Sequence, residues 1–252
     1  MRKTQPIQSL LRGVDLLQIL ADSGEGMRLQ ELADRLQLKL PTVHNLLATL
    51  ALRGLVEKCG PSRYVAGPAV LRMAGQIMNA RGLRRVEAGA LRLGAKPYQP
   101  TVNVCRATAS QVQMLLRISP DAPAVVQRPA GRSVALYRTA SGLAVLAFAP
   151  TDLVWLLEET YPFEEHGMPY WQSRDALDSA IARTRKDGVA VLPFADGAKC
   201  HKLAMMAPDR DHALTLGILV PVSALPGEAG VERLVHDLRE EINALKTERS
   251  EV

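Results

Sequence analysis

Apolar residues at Ile7, Leu10, Leu11, Val14, Leu17 and Leu20 recur at the three-and-four spacing of an α-helix, while Arg12, Asp15 and Gln18 take the opposite face. Pro6 near its start and Ser23-Gly24 with Gly26 at its end punctuate that helix, because proline tolerates a first turn and glycine a positive-φ stop. The same periodicity predicts a short helix over 30–37, with Leu32, Ala33 and Leu36 inward. A third is predicted over 41–53, with Val43, Leu46, Leu47 and Leu50 on one face and Gly54 as its stop. Pro41 fits only the first turn of this helix, which leaves a tight turn behind the second. Two short helices so joined form a helix-turn-helix. Residues 55–58 and 64–67 then read as extended runs around Gly60-Pro61-Ser62, a hairpin. Three helices followed by a hairpin is the layout of a winged helix-turn-helix, expected over residues 1–67.

Behind it, Val70, Leu71, Ala74, Ile77 and Met78 step at helical spacing with Gln76 and Asn79 outward. One helix cannot bury such a stripe alone, so it packs either on its own domain or on a second copy; 68–82 is taken as a linker helix. Residues 83–252 mix the two periods. A helical stretch (83–95) precedes a hairpin (101–106 and 111–119), and helices follow over 139–148, 152–159 and 173–187. Strands over 189–192, 202–207 and 214–220, a turn at 208–211 and a helix over 230–247 complete the chain. The expected class is α+β.

Length and charge sharpen this picture. At 252 residues the chain exceeds one average domain of roughly 150, so two are expected. A composition 47% hydrophobic and 23% charged excludes disordered, collagen-like and coiled-coil chains. Cys59, Cys105 and Cys200 lie far apart with no CxxC spacing, which argues for a reducing compartment rather than a disulfide framework. With no spanning apolar run and a charged N-terminus, the expectation is a cytoplasmic protein with no membrane partner. Residues 1–80 hold 10 Lys and Arg against 6 Asp and Glu, the rest 21 against 20. A basic front fits a polyanion partner or an ordinary solvated surface; the winged-helix layout favours double-stranded DNA. Thr42, His44, Asn45 and Thr49 then form the face offered to the major groove, with Pro41 at the helix start. Asn45 suits adenine, and Lys39, Lys58 and Arg63 suit phosphates or, for Arg63, a minor groove.

Glu31-Leu32-Ala33, PTVHNLLATLALRGLVEK from Pro41, Arg63-Tyr64 and Gly67-Pro68 resemble the winged helix of the IclR family of bacterial transcriptional regulators. LYRTASGLAVLAF from Leu136 and GAKCHKLAMMAP from Gly197 resemble its effector domain, so the likeness spans nearly the whole chain. The chain departs from the family pattern in having Gln37 for a turn glycine, Pro41 for serine and Asn45 for arginine. The resemblance implies a GAF-like ligand-binding fold, a homodimer or dimer of dimers, and operator binding modulated by a small molecule. It implies an effector site opened by Ala140, Ser141 and Gly142 and walled by Cys200, Leu203 and Met205. Leu192-Pro193, Gly217 and Leu219 stand where carboxylate-binding relatives carry acidic residues and serines. That strips polar partners from the pocket and favours an effector more apolar than a small keto acid, an aromatic acid for instance, held by Arg117 or Arg138.

Catalytic sets are not evident. Cys200 and His201 are adjacent, so on a strand they face opposite ways. His166, His201, His212 and His236 lack metal spacing, and Gly82, Gly89 and Gly94 form no phosphate loop. The expectation is a non-enzyme without a cofactor; the alternative is a metal-dependent sensor or an enzyme in the rear domain.

Overall fold

The computed structural model describes residues 6–80, 83–129, 131–193, 199–209 and 213–247, with backbone alone for 78–80. The Met78 and Asn79 side chains, Gly82, Gly197, Arg210, Asp211 and His212 from the sequence reading lie outside the described residues. The chain divides into two compact units after Ala80. Among the described residues no helix is long and apolar enough to cross a membrane.

The first unit comprises α1 (Gln8–Ser23), β1 (Met27–Arg28), α2 (Leu29–Leu36), α3 (Leu40–Ala51), β2 (Val56–Cys59), β3 (Arg63–Ala66) and α4 (Pro68–Ala80). Leu16 and Leu20 of α1, Leu32 of α2, Val43 and Leu47 of α3 and Val56 of β2 make its core. The apolar stripe of α1 divides unexpectedly: Leu16 and Leu20 are buried, but Ile7, Leu10, Leu11 and Val14 are exposed. A 16-residue helix spans about 24 Å, and the eight residues of α2 cover only about half of it. β1, which periodicity does not announce, adds a third strand to the wing, in the order β1-β3-β2. Gln37 closes α2 in the left-handed region (φ 53°, ψ 43°), and Leu38 N–H bonds the Ala33 carbonyl at 3.0 Å. A side chain in that conformation costs about 1 kcal/mol.

The second unit is a sheet between two helical layers. It contains α5 (Leu83–Gly94), β4 (Thr101–Ala107), β5 (Val112–Ser119), β6 (Ala122–Gln127), β7 (Ser133–Val134), α6 (Ala140–Phe148) and α7 (Thr151–Thr160). There follow α8 (Phe163–His166), α9 (Met168–Trp171), α10 (Arg174–Asp187), β8 (Ala190–Val191), β9 (Cys200–Met206), β10 (Leu214–Pro221) and α11 (Gly227–Thr247). The strands pair antiparallel in the order β6-β5-β4-β10-β9-β8, with β7 on β5. One face, Val102, Val104, Leu216 and Ile218, packs with Val86, Ala90 and Leu93 of α5 and Leu234, Leu238 and Ile242 of α11. The other packs with α6, which is buried from Ala140 to Ala147 because it is apolar on every side.

α5 and α11 are joined by charge as well. Arg92 bonds Glu241, and the buried Asp237 accepts from Lys96 Nζ at 3.1 Å, Tyr98 Oη at 2.9 Å and Arg233 Nε at 3.2 Å. Burial pushes the Asp237 carboxyl up, but the hydrogen bonds from Lys96 and Tyr98 and the charges of Lys96 and Arg233 outweigh it and hold the group below its ordinary value. A depressed carboxylate stabilises the fold above its unfolded pKa and ceases to do so as pH falls through the folded value. Asp237→Ala therefore lowers stability by about 1 to 2 kcal/mol at neutral pH, since it removes the acceptor shared by Lys96, Tyr98 and Arg233, whose two cations are partly exposed to water. It also weakens the acid dependence below about pH 4. Thermal melts across pH 2–7 measure both.

Candidate functional site

Two surfaces gather the residues singled out from the sequence, one in each unit. In the first, Lys39 is the N-cap of α3 and Pro41 sits in its opening positions, where a missing N–H is harmless. Val43 and Leu47 anchor the helix in the core, which leaves Lys39, Pro41, His44, Asn45 and Thr49 exposed and Thr42 half-buried. Asn45 makes its amide available. The Thr49 hydroxyl donates to the Asn45 carbonyl at 2.7 Å, so it is tied to its own helix. Between α3 and the wing lies a depression lined by His44, Ala48, Ala51, Glu57, Lys58 and Tyr64, with Lys58 Nζ 5.7 Å from the Tyr64 ring centre.

Arg63 opens the central strand of the wing, and its Nη1 donates to the Gly26 carbonyl at 2.7 Å. That bond clamps the wing to the connection between α1 and α2 and uses one of the guanidinium's five donors.

In the second unit a cavity of about 270 Å³ opens between the sheet and the start of α6. Thr101, Asn103 and Cys105 of β4, Met114 and Arg117 of β5, Lys202 and Leu203 of β9, and Gly217 and Leu219 of β10 line it. Val134, Arg132, Arg138, Thr139, Ala140 and Ser141 close the other side. Strand alternation explains the floor, because Thr101, Asn103 and Cys105 occupy every second position of β4. Among the described residues the lining holds four cationic side chains, Arg117, Arg132, Arg138 and Lys202, and no carboxylate. Burial raises the Cys105 thiol to about 11, with hydrogen bonds to Ser141 and Thr215 working the other way, so it stays protonated at neutral pH.

Of the effector residues expected from sequence, Arg117, Arg138, Ala140, Ser141, Leu203, Gly217 and Leu219 border this cavity and Gly142, Cys200 and Met205 do not. Gly142 is buried, its N–H taken by Thr139 Oγ1 at 3.0 Å, and a Cβ there would overlap the Leu136 carbonyl. Its small size serves the turn into α6. Met205 packs with the α5 and α11 core on the other side of the sheet. Cys200 begins β9 opposite Pro221, one pleat beyond Lys202. Leu203 belongs to the same far core as Met205, and its carbonyl borders the space at Gly217. The sequence reading missed Thr101, Asn103, Cys105, Met114, Arg132, Val134, Thr139 and Lys202. The alternation Thr-Val-Asn-Val-Cys was the available signal for the first three. His201, expected to face away from Cys200, is buried with Nε2 2.8 Å from the Leu225 carbonyl.

Residues 9–59 match the IclR helix-turn-helix domain and residues 78–242 the bacterial transcriptional regulator IclR C-terminal domain. The HTH-type transcriptional regulator BhcR of Paracoccus denitrificans is 32% identical over 162 residues, a match covering 61% of this chain and 55% of that protein. The chain thus spans little more than half of that relative's length. The transcriptional repressor IclR of Escherichia coli is 24% identical over 234 residues, covering 91% of this chain and 85% of that protein. The structure of an IclR homolog from Microbacterium hydrocarbonoxydans, complexed with 4-hydroxybenzoate, shares the fold. Its TM-score is 0.63 at 18% identity, over 95% of this chain and 98% of that one.

The clamp at Arg63 has a measurable consequence. Arg63→Ala removes a charge-assisted hydrogen bond and destabilises the first unit by about 1.5 kcal/mol, read by denaturant unfolding. Arg63→Lys recovers only part of the loss, because an ammonium has no guanidinium fork.

Proposed function

The chain belongs to the IclR family of bacterial transcriptional regulators, and from that membership we propose that an organic acid held in the cavity of the second unit sets how tightly the winged helix grips its operator. The observation that carries this reading is that the described lining holds four cations and no carboxylate. Such a wall favours an anion. Cys105, Met114, Val134, Ala140 and Leu219 make the remaining surface largely apolar, which suits a carboxylate on an apolar body better than a two- or three-carbon acid. A space of about 270 Å³ equals about nine waters, room for a small aromatic acid. The 4-hydroxybenzoate bound by the structural neighbour is of that class.

On the DNA side α3 enters the major groove. Asn45 reads adenine, Thr42 and His44 reach base edges or phosphate, and Lys39 and Lys58 hold phosphates. Leu71, Met73 and Ile77 of α4 and Ile7, Leu10, Leu11 and Val14 of α1 are exposed apolar surface that a second copy would cover. Two heads then address half-sites about one helical turn apart. Coupling of about 1 to 3 kcal/mol between cavity and operator changes affinity about 5- to 150-fold.

Two measurements test the reading. Asn45→Ala reduces the preference for operator over random duplex about tenfold, whereas Lys58→Ala weakens both alike and flattens the salt dependence by about one ion. In mobility-shift titrations phenylacetate moves operator affinity at least about fivefold in the native protein, and Arg117→Ala abolishes the response. A native protein that binds phenylacetate with no change in operator affinity would refute the switch.

A further inference from the structure

Across the cavity floor Arg117, Asn103, Gly217 and Ala204 form one continuous row, each the direct register partner of the next on β5, β4, β10 and β9. Gly217 lines the cavity where a Cβ would stand 3.2 Å from Ser141 Oγ, and Ala204 beyond it is buried in the core beside α6. Arg117 and Asn103 line the cavity beside Gly217. Each carries a buried polar atom without a hydrogen-bond partner among the described residues, Nε of Arg117 and Oδ1 of Asn103. The first is a donor lacking an acceptor and the second an acceptor lacking a donor. Buried polar atoms are satisfied in nearly all native structures. The two do not bond each other here, so a ligand seated between them can bring both complements.

Resting on the reading of this cavity as the site of an apolar organic acid, we propose that the effector is a 2-hydroxy carboxylate. Its carboxylate accepts from Arg117, and the hydroxyl on the neighbouring carbon donates to Asn103 Oδ1. Directly opposed residues of an antiparallel pair have Cβ atoms about 5 Å apart. That spacing matches ligand groups on adjacent carbons and not groups at opposite ends of a ring. A bare carboxylate would satisfy Arg117 and leave Asn103 Oδ1 without a donor. Lys202, Arg132 and Arg138 favour any anion, so discrimination between the acid and its hydroxylated analogue falls to Asn103.

The test is calorimetric titration of the full chain with phenylacetate, 2-hydroxy-2-phenylacetate (each enantiomer) and 2-methoxy-2-phenylacetate, which keeps the oxygen and loses the donor. One enantiomer of the hydroxy acid binds at least about tenfold more tightly than phenylacetate, the methoxy acid gains nothing, and in Asn103→Leu the hydroxy acid and phenylacetate fall within about twofold. Phenylacetate and hydroxy acid binding equally to the native protein overturns the inference alone. So does a methoxy acid that matches the hydroxy acid, or a preference that survives Asn103→Leu. Binding of none of the three overturns the effector class proposed above as well. The native comparison among the three acids decides even if Asn103→Leu does not fold.

Discussion

A β-strand offers a ligand only every other side chain, and the second unit is arranged around that limit. β4 turns Val102 and Val104 toward α5 and α11 and leaves Thr101, Asn103 and Cys105 on the cavity face. β10 does the same with Leu216 and Ile218 on one side and Gly217 and Leu219 on the other. The apolar half supplies the burial that holds the sheet, so the other half is free to be polar and incompletely filled. A one-residue slip of β4 would exchange its two faces, placing Asn103 in the core and valines in the cavity.

The same alternation gives the cavity a short mechanical path to the opposite layer. Arg117 faces the cavity, and the next residue, Ile118, is fully buried on the far face. There Gly94 of α5 rests on it, so closely that a Cβ would stand 2.8 Å from Ile118 Cγ2. Arg117 and the residue that seats α5 are thus neighbours on one strand. Asp237 and Glu241 bind α11 to α5 and its following turn, so these helices respond together. In sequence α5 follows α4 after two residues, which makes α5 the element of this unit nearest along the chain to the winged helix.

How much of this was legible depended on whether a local pattern or a distant partner did the deciding. α3 was readable because Pro41 fixes its start and Val43, Leu46, Leu47 and Leu50 fix its buried side. The exposure of Ile7 through Val14 was not, since it depends on α2 being too short to cover α1. Nor was β1, two residues whose extended form comes from pairing with β3. α6 announced itself through Thr139 and the small residues behind it, yet the reason for Gly142, the Leu136 carbonyl, lies outside the helix. In the cavity, family likeness pointed to the right stretch of β9 but to the wrong pleat at Met205. Arg117 was noticed for its charge. Asn103 was not, because only the β4–β5 register, with its irregularity between Val104 and Cys105, sets it opposite Arg117.

The charge and hydrogen-bonding of the lining bear on what such a ligand would contribute. Cys105, kept neutral by burial, adds no counter-charge to Arg117, Arg132, Arg138 and Lys202. A buried polar atom without a partner costs about 1 to 3 kcal/mol relative to a satisfied one. On the proposed reading, a ligand that completes Arg117 Nε and Asn103 Oδ1 therefore gains an amount of the same order as a typical allosteric coupling. Its effect would then come from what it satisfies rather than from what it pushes aside.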